Sequence, residues 1–279
     1  MKFSLIITTR GRTAEVSCLL DSLAKQTFQD FEILLSDQNE DERLAPVLES
    51  SPLRDRILRL RNVGGASKGR NEGVAHAKGE IIGFPDDDCT YPPRLLQDVA
   101  DFFNAHPEWE FVSGRSYGDD GQDSVSRHAT DSGPVAKLSI HAQIIEFALF
   151  VRRSSLGELR FDEQMGVGAS TPWHSDEGPD LVLSLMEKGE RGYYERAIGI
   201  WHPRPVTSYD EKAIDRTYRY ACGNGYFYRK HHYPLVYFAG QMTRTACGVL
   251  LAVLKADPGM ARLYLARLRG RWRGWCMRP

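Results

Sequence analysis

The sequence predicts an α/β fold, a mostly parallel sheet flanked by helices and followed by a C-terminal helical extension. Three observations carry that expectation. Apolar runs at Phe3 to Thr9, Phe31 to Ser36 and Ile81 to Phe84 alternate with helix-spaced segments over about the first 90 residues, the pattern of a doubly wound parallel sheet. Two of these runs lead into acids, Asp37 and Asp86-Asp87-Asp88, so carboxylates arrive where parallel strands end and open α/β sheets take ligands. Beyond about residue 210 the pattern turns helical and aromatic, giving expected domains of 1–210 and 211–279.

Taken in order, Phe3 to Thr9 is a short β-branched strand, and Arg10-Gly11-Arg12 is a loop. Val16, Leu19, Leu20 and Leu23 share one helical face, with Thr13 as the expected N-cap. FEILLS from Phe31 is the second strand, and Ile57 to Leu60 an edge-like third with alternating arginines. A glycine-rich turn then enters a short helix and the strand of GEIIGFPDDDC, which Pro85 should end because it has no N–H to donate. Pro92 or Pro93 starts a helix to about Asn104, and Trp109 to Ser113 is a strand. Gly114 to Pro134 is a polar loop, and Ile140 to Val151 is buried without a period that separates helix from strand. A glycine-rich stretch, 160–178, precedes an amphipathic helix from about Asp180 to Lys188; a strand at Ala197 to Trp201 leads into His202-Pro203.

The chain as a whole is ordinary for a globular protein, with 42% apolar and 26% charged residues. Its 36 basic and 37 acidic side chains nearly cancel, so no global field points to nucleic acid. The 5 cysteines are odd in number and form no CxxC pair, which favours neither a disulfide frame nor a zinc site and fits a reducing cytoplasm. MKFSLIITTR has too short an apolar core for a signal peptide and reads as a first strand. The run Ala246 to Leu254 is about half of the ~20 residues a membrane-crossing helix needs.

Chemistry collects at the strand ends. Three adjacent carboxylates repel one another and call for a cation unless they are fully solvated, and hard divalent ions take such oxygen ligands. Asp37 follows a strand, where an acid bonds a ribose hydroxyl or base edge, or simply closes an Asx-turn. Lys68 and Arg70 open a helix whose amides and dipole favour anions, or else are solvated helix-start residues. The glycines there fit neither GxGxxG nor GxxxxGK[ST]. Asp176, Glu177 and Asp180 form a second acidic cluster: Asp180 suits a helix cap, whereas Glu177 is placed to take a proton. His202 is a metal-ligand candidate or an ordinary histidine.

Taken together these motifs resemble family 2 glycosyltransferases of the GT-A (Rossmann-like) fold, over about residues 3 to 204. SLIITTRGR is similar to the family's first strand and nucleotide-contacting turn, which implies roles for Thr8, Thr9 and Arg10. SLAKQTFQDFEILLSDQN resembles the stretch whose acid binds base or ribose, here Asp37. ASKGRNEGVAHAKGEIIGFPDDDC is similar to the segment ending in a DxD-type motif. The resemblance places Lys68, Arg70, Asp86 and Asp87 at the nucleotide, and Asp88, Asp86 and His202 (of IWHP) at Mn²⁺ or Mg²⁺. FDEQMG resembles the run before the acceptor site. SDEGPDLVLSLMEKG departs from the family: the usual base position holds Gly178, so Glu177 becomes the candidate base, with Asp176 second. The implied activity is inverting, metal-dependent transfer from a nucleotide sugar, UDP-linked first, to a glycan or lipid-linked glycan. The alternative is a catalytically inactive nucleotide-sugar-binding or scaffolding subunit; a nucleotidyltransferase is disfavoured because its glycine- and lysine-rich signature is missing.

The C-terminal segment carries Arg262, Arg267, Arg269, Arg271, Arg273 and Arg278 with no acid. On a helix, Leu263, Leu265, Leu268 and Trp272 would cover one side, suiting an anionic membrane surface or a helix packed on the catalytic domain. Peripheral attachment to the cytoplasmic face of a membrane is the expectation.

Overall fold

The computed structural model describes residues 1–205 and 208–277, so Arg278 and its part in the basic segment lie outside the described residues. The first elements are β1 (Phe3–Thr9), α1 (Ala14–Ala24), β2 (Phe31–Asp37), α2 (Ala45–Ser50), β3 (Ile57–Arg61), α3 (Ala66–His76) and β4 (Ile81–Gly83). Then come α4 (Leu95–Ala105), β5 (Phe111–Tyr117), β6 (Gly133–Pro134), α5 (Ile140–Gln143), β7 (Leu149–Arg152), α6 (Arg153–Leu156), α7 (Glu177–Glu187) and β8 (Gly192–Trp201). Helices α8 (Glu211–Lys230), α9 (Leu235–Leu254) and α10 (Pro258–Cys276) complete the described chain.

The strands form one sheet in the order β3-β2-β1-β4-β7-β5-β8-β6. The pairs β1–β2, β1–β4, β2–β3 and β5–β8 are parallel, whereas β7 runs antiparallel between β4 and β5, and β6 antiparallel to β8. Phe3, Leu5, Ile6 and Ile7 of β1 are all fully buried, as expected of a central strand covered on both faces. Val16, Leu19, Leu20 and Leu23 of α1 and Leu96, Val99 and Phe103 of α4 close the same core, each such side chain contributing about 1.5–3 kcal/mol.

The chain divides into two compact units, Met1–Phe161 with Leu181–Pro205, and Asp162–Asp180 with Val206–Pro279. The sheet belongs entirely to the first. In the second, α10 packs on α8 so closely that a Cβ at Gly270 or Gly274 would collide with α8 backbone. Helix α9 lies antiparallel to α10, with Phe238 stacked on Trp275 at 4.2 Å. Arg271 ties the three helices together, donating to Asn224 Oδ1 (2.9 Å), Gln241 O (3.2 Å) and Thr245 Oγ1 (2.5 Å).

Some elements differ from expectation. The strand placed at Trp109 to Ser113 is β5, running to Tyr117, because its later residues pair with β8 beyond a bulge. Ile140 to Val151 divides into α5, a 3₁₀ turn at Glu146–Ala148 and β7. Helix α7 starts at Glu177 rather than near Asp180; Pro179 is tolerated in a first turn, where an N–H has no helical partner anyway.

Candidate active site

Register assembles the strand-end cluster of the first unit. Thr9 pairs with Asp37 across β1 and β2, and Thr8 bridges Asp86 just past β4. Thr8, Thr9, Asp37 and Asp86 therefore share one edge of the sheet, at the carboxyl ends of parallel strands. Helix α3 approaches that edge because Gly69 has no side chain: a Cβ there would stand 2.6 Å from Ser36 Oγ and 2.9 Å from Thr8 Cγ2. The approach brings Arg70, 4% exposed, to 3.1 Å from Asp86, with its guanidinium 5.4 Å from the Phe161 ring centroid. Lys68 is exposed on the same first turns, and Arg10 is exposed and 3.7 Å from Glu40.

Asp37 is fully buried and its oxygens are engaged. Oδ1 accepts from the Asn39 amide (2.9 Å) and side chain (2.8 Å), and Oδ2 from Arg59 (2.5 and 2.9 Å) and Arg61 (3.2 Å). The alternating arginines of β3 thus orient this carboxylate. Their separation from it, 22 and 24 residues, conceals the link in sequence.

The three aspartates have three different environments. Burial, helped by nearby Glu146 and Asp88, raises Asp86 to about 6, although Arg70 and His202 pull the other way. Burial also raises Asp87 against the bond and charge of Arg12. For Asp88 burial is outweighed by the His202 bond and the charges of His202 and Arg12, which hold it below the usual carboxylate range. Arg12 bonds Asp87 and lies 2.7 Å from Asp88. In sequence Arg12 is simply a loop residue, although three adjacent carboxylates call for more than one cation.

His202 sits where β8 ends. Its Nδ1 faces the Pro203 carbonyl at 2.8 Å, and its Nε2 is 3.2 Å from Asp88. Burial lowers its proton affinity, but the Asp88 bond and charge prevail and raise it. The ring stacks on Phe147 at 4.8 Å; Phe147 precedes β7, whose reversed direction brings the residues entering it to this edge. One ligand atom each from Asp86, Asp88 and His202 lie within 4.8 Å of one another. Two carboxylate oxygens and an imidazole nitrogen are a donor set that fits Mn²⁺ or Mg²⁺.

The second unit holds the other acidic cluster. Asp180, 2% exposed, does not cap α7: Lys230 Nζ is 2.8 Å away and His231 Nε2 also 2.8 Å. Lys230 also reaches Asp162 at 2.7 Å. Asp176 takes a left-handed backbone conformation, φ 67°, and accepts from Ser175 Oγ at 2.5 Å and Asn224 Nδ2 at 3.4 Å. Glu177, 6% exposed, opens α7. Trp173 stacks on Tyr226 with ring centroids 3.7 Å apart.

Comparison with known proteins identifies the family and the fold. The TarS poly(ribitol-phosphate) beta-N-acetylglucosaminyltransferase of Staphylococcus aureus is 33% identical over 111 residues, 38% of this chain and 19% of TarS. An uncharacterized glycosyltransferase of Haemophilus influenzae is 32% identical over 109 residues, 39% of this chain and 37% of that protein. The chain therefore matches well under two thirds of these relatives' length. A TarS fragment solved with UDP-GlcNAc superposes with TM-score 0.60 at 18% identity, covering 96% of this chain and 90% of that one. The mannosyltransferase PcManGT of Pyrobaculum calidifontis, solved with GDP-Man and Mn²⁺, gives 0.63 at 15% identity, covering 98% and 86%. At such identities the structures establish the fold, which is of GT-A type. The model described as Glycosyl transferase family 2 matches residues 4–157, the stretch that carries Asp37, Arg70 and the three aspartates, and the chain belongs to that family.

Proposed function

We propose that this protein transfers a sugar from a nucleoside-diphosphate sugar, UDP-linked first, to a hydroxyl of a glycan or lipid-linked glycan, with inversion. The observation that carries the proposal is the meeting of Asp86, Asp88 and His202 beside Arg70 at the carboxyl ends of the strands. The nucleotide sugars bound to the TarS fragment and PcManGT support the donor class.

Thr8, Thr9 and Arg10 would meet the nucleoside, and Asp37 would reach its base or ribose by exchanging one of the bonds that now hold it to Asn39, Arg59 and Arg61. Lys68 and Arg70 hold the diphosphate, flanked by Asp86 and Asp87. Asp86, Asp88 and His202 would hold Mn²⁺ or Mg²⁺, which supplies positive charge to the leaving diphosphate when bound. Glu177 accepts the acceptor's proton, Asp176 standing second. The acceptor oxygen then bonds to the anomeric carbon as the bond to the diphosphate breaks on the opposite side, so one displacement inverts the centre. Lipid-linked acceptors would place this work at the cytoplasmic face of a membrane.

Gly178, in the family's usual base position, favours one other reading, an inactive nucleotide-sugar-binding or scaffolding subunit. Thermal-shift screening with UDP, GDP, dTDP and CMP in Mn²⁺, followed by turnover of the matching nucleotide sugar, separates the two. Binding with turnover is expected. Binding without turnover selects the scaffold, and no shift with any nucleotide overturns both.

A further inference from the structure

Among the described residues the hairpin of α9 and α10 presents an apolar surface. Leu235 and Val236 at one end of α9 are 68% and 79% exposed, and Leu250, Leu251 and Leu254 at the other are 60%, 56% and 72% exposed. Residues 250, 251 and 254 share one helical face. The turns between them expose Ala239, Gly240, Ala246 and Cys247, interrupted by Thr243 and Arg244. The partnered side of α9 is elsewhere, at Phe238, Thr245, Gly248 and Ala252.

Charge decides what this face meets. Asp257 is the sole acid from His231 onward, and it is used as the cap of α10, accepting from the Met260 amide at 2.9 Å. Arg267, Arg269 and Arg273 of α10 are exposed, and Trp272, among them, is 58% exposed. Leu263 and Leu268 are half-buried, so the aliphatic surface lies on α9 rather than along α10. No helix among the described residues is long and apolar enough to cross a membrane.

We propose that the α9–α10 hairpin docks on an anionic lipid bilayer, its aliphatic α9 face entering the headgroup boundary while the arginines meet the phosphates. Aliphatic side chains beside Arg and Trp, with acids excluded, match the two phases of that boundary. A folded protein partner would be expected to answer the arginines with specific carboxylates; a lipid surface supplies diffuse negative charge over the whole hairpin. The surface stands apart from the transfer reaction, because lipid binding is measured with no nucleotide or acceptor present.

The test is flotation of the full chain with vesicles of phosphatidylcholine, with and without phosphatidylglycerol, at low and high salt. Binding is expected to need the anionic lipid and to weaken in salt. Leu251→Asp with Leu254→Asp should lower the partition coefficient at least about tenfold. Arg269→Gln with Arg273→Gln should lower it for anionic vesicles only, and circular dichroism melts should match wild type for both pairs. Wild type that fails to float, or a Leu251→Asp/Leu254→Asp protein that floats equally well, overturns the proposal. Light scattering that shows a wild-type dimer dissociated by the two aspartates would assign the face to a second copy of this chain and overturn it as well.

Discussion

Removing Arg12 tests the electrostatic design of the aspartate cluster. The Asp87 and Asp88 side chains are 9% and 15% exposed, while Arg12 is 42% exposed. Stripping the partner from a buried pair costs about 3–5 kcal/mol and from an exposed pair about 0–1. Nearly buried carboxylates facing a half-exposed guanidinium fall between, at roughly 2 kcal/mol. At ~2–4 °C per kcal/mol for a chain of this size class, Arg12→Ala should melt about 4–8 °C below wild type in EDTA. A divalent ion on Asp86, Asp88 and His202 restores the missing positive charge, so Mn²⁺ should narrow the gap and stabilise the variant more than wild type. Arg12→Lys keeps the charge but not the fork that reaches two carboxylates, and should lie between. The assay is heat unfolding by circular dichroism with and without Mn²⁺. A variant melting within about 1 °C of wild type, or a gap indifferent to Mn²⁺, would refute the reasoning.

Three further outcomes are expected. Asp88→Ala should abolish the Mn²⁺ dependence of nucleotide binding in calorimetry; retained Mn²⁺ dependence would remove Asp88 from the metal set. Glu177→Gln should keep donor binding and lose turnover by roughly 10²–10⁴-fold, and near-normal turnover would move the base to Asp176. His128 is pushed down to about 4, mainly by burial, with its Nε2 facing the Ser116 amide at 3.0 Å. Its folded proton affinity lies below that of the unfolded chain, which binds more protons between about pH 4 and 6.5. His128 alone should therefore lower stability on acidification through that window by on the order of 3 kcal/mol, while Asp86, raised to about 6, opposes it by taking up a proton in the folded state. Urea titrations of wild type and His128→Gln check this, and an unchanged slope in the variant would assign the loss to other groups.

What was legible in the sequence was what local chemistry announces. Pro85 ends a buried strand and Pro203 follows another, so the aspartates and His202 could be placed at strand ends from neighbours alone. Arg12 was not legible because its partner Asp87 is 75 residues away, and nothing in an Arg-Gly-Arg loop says which arginine turns inward. Asp180 resembled a cap because Gly178-Pro179 looks like a helix boundary, while the cation that claims its carboxylate lies 50 residues on. The reversal of β7 was hidden for another reason: Ile140 to Val151 scatters His141, Gln143 and Glu146 among apolar residues without a period, and a segment without a period carries no direction. Phe147 beneath His202 was hidden with it.

The interleaving of the two compact units sets an order of events during synthesis. Asp162–Asp180 belongs with helices that come after the last strand of the sheet. Lys230 and His231 emerge 50 and 51 residues after Asp180, a delay of roughly 3–10 seconds at ~5–20 residues per second. Throughout that interval the nascent chain has Asp162 and Asp180 without the Lys230 ammonium that later meets both. Burial of Asp180 must wait for α8, so the strands can settle while this acidic stretch remains in water. The segment proposed to carry the base would therefore be among the last parts of the chain to take shape, after α8 has been made.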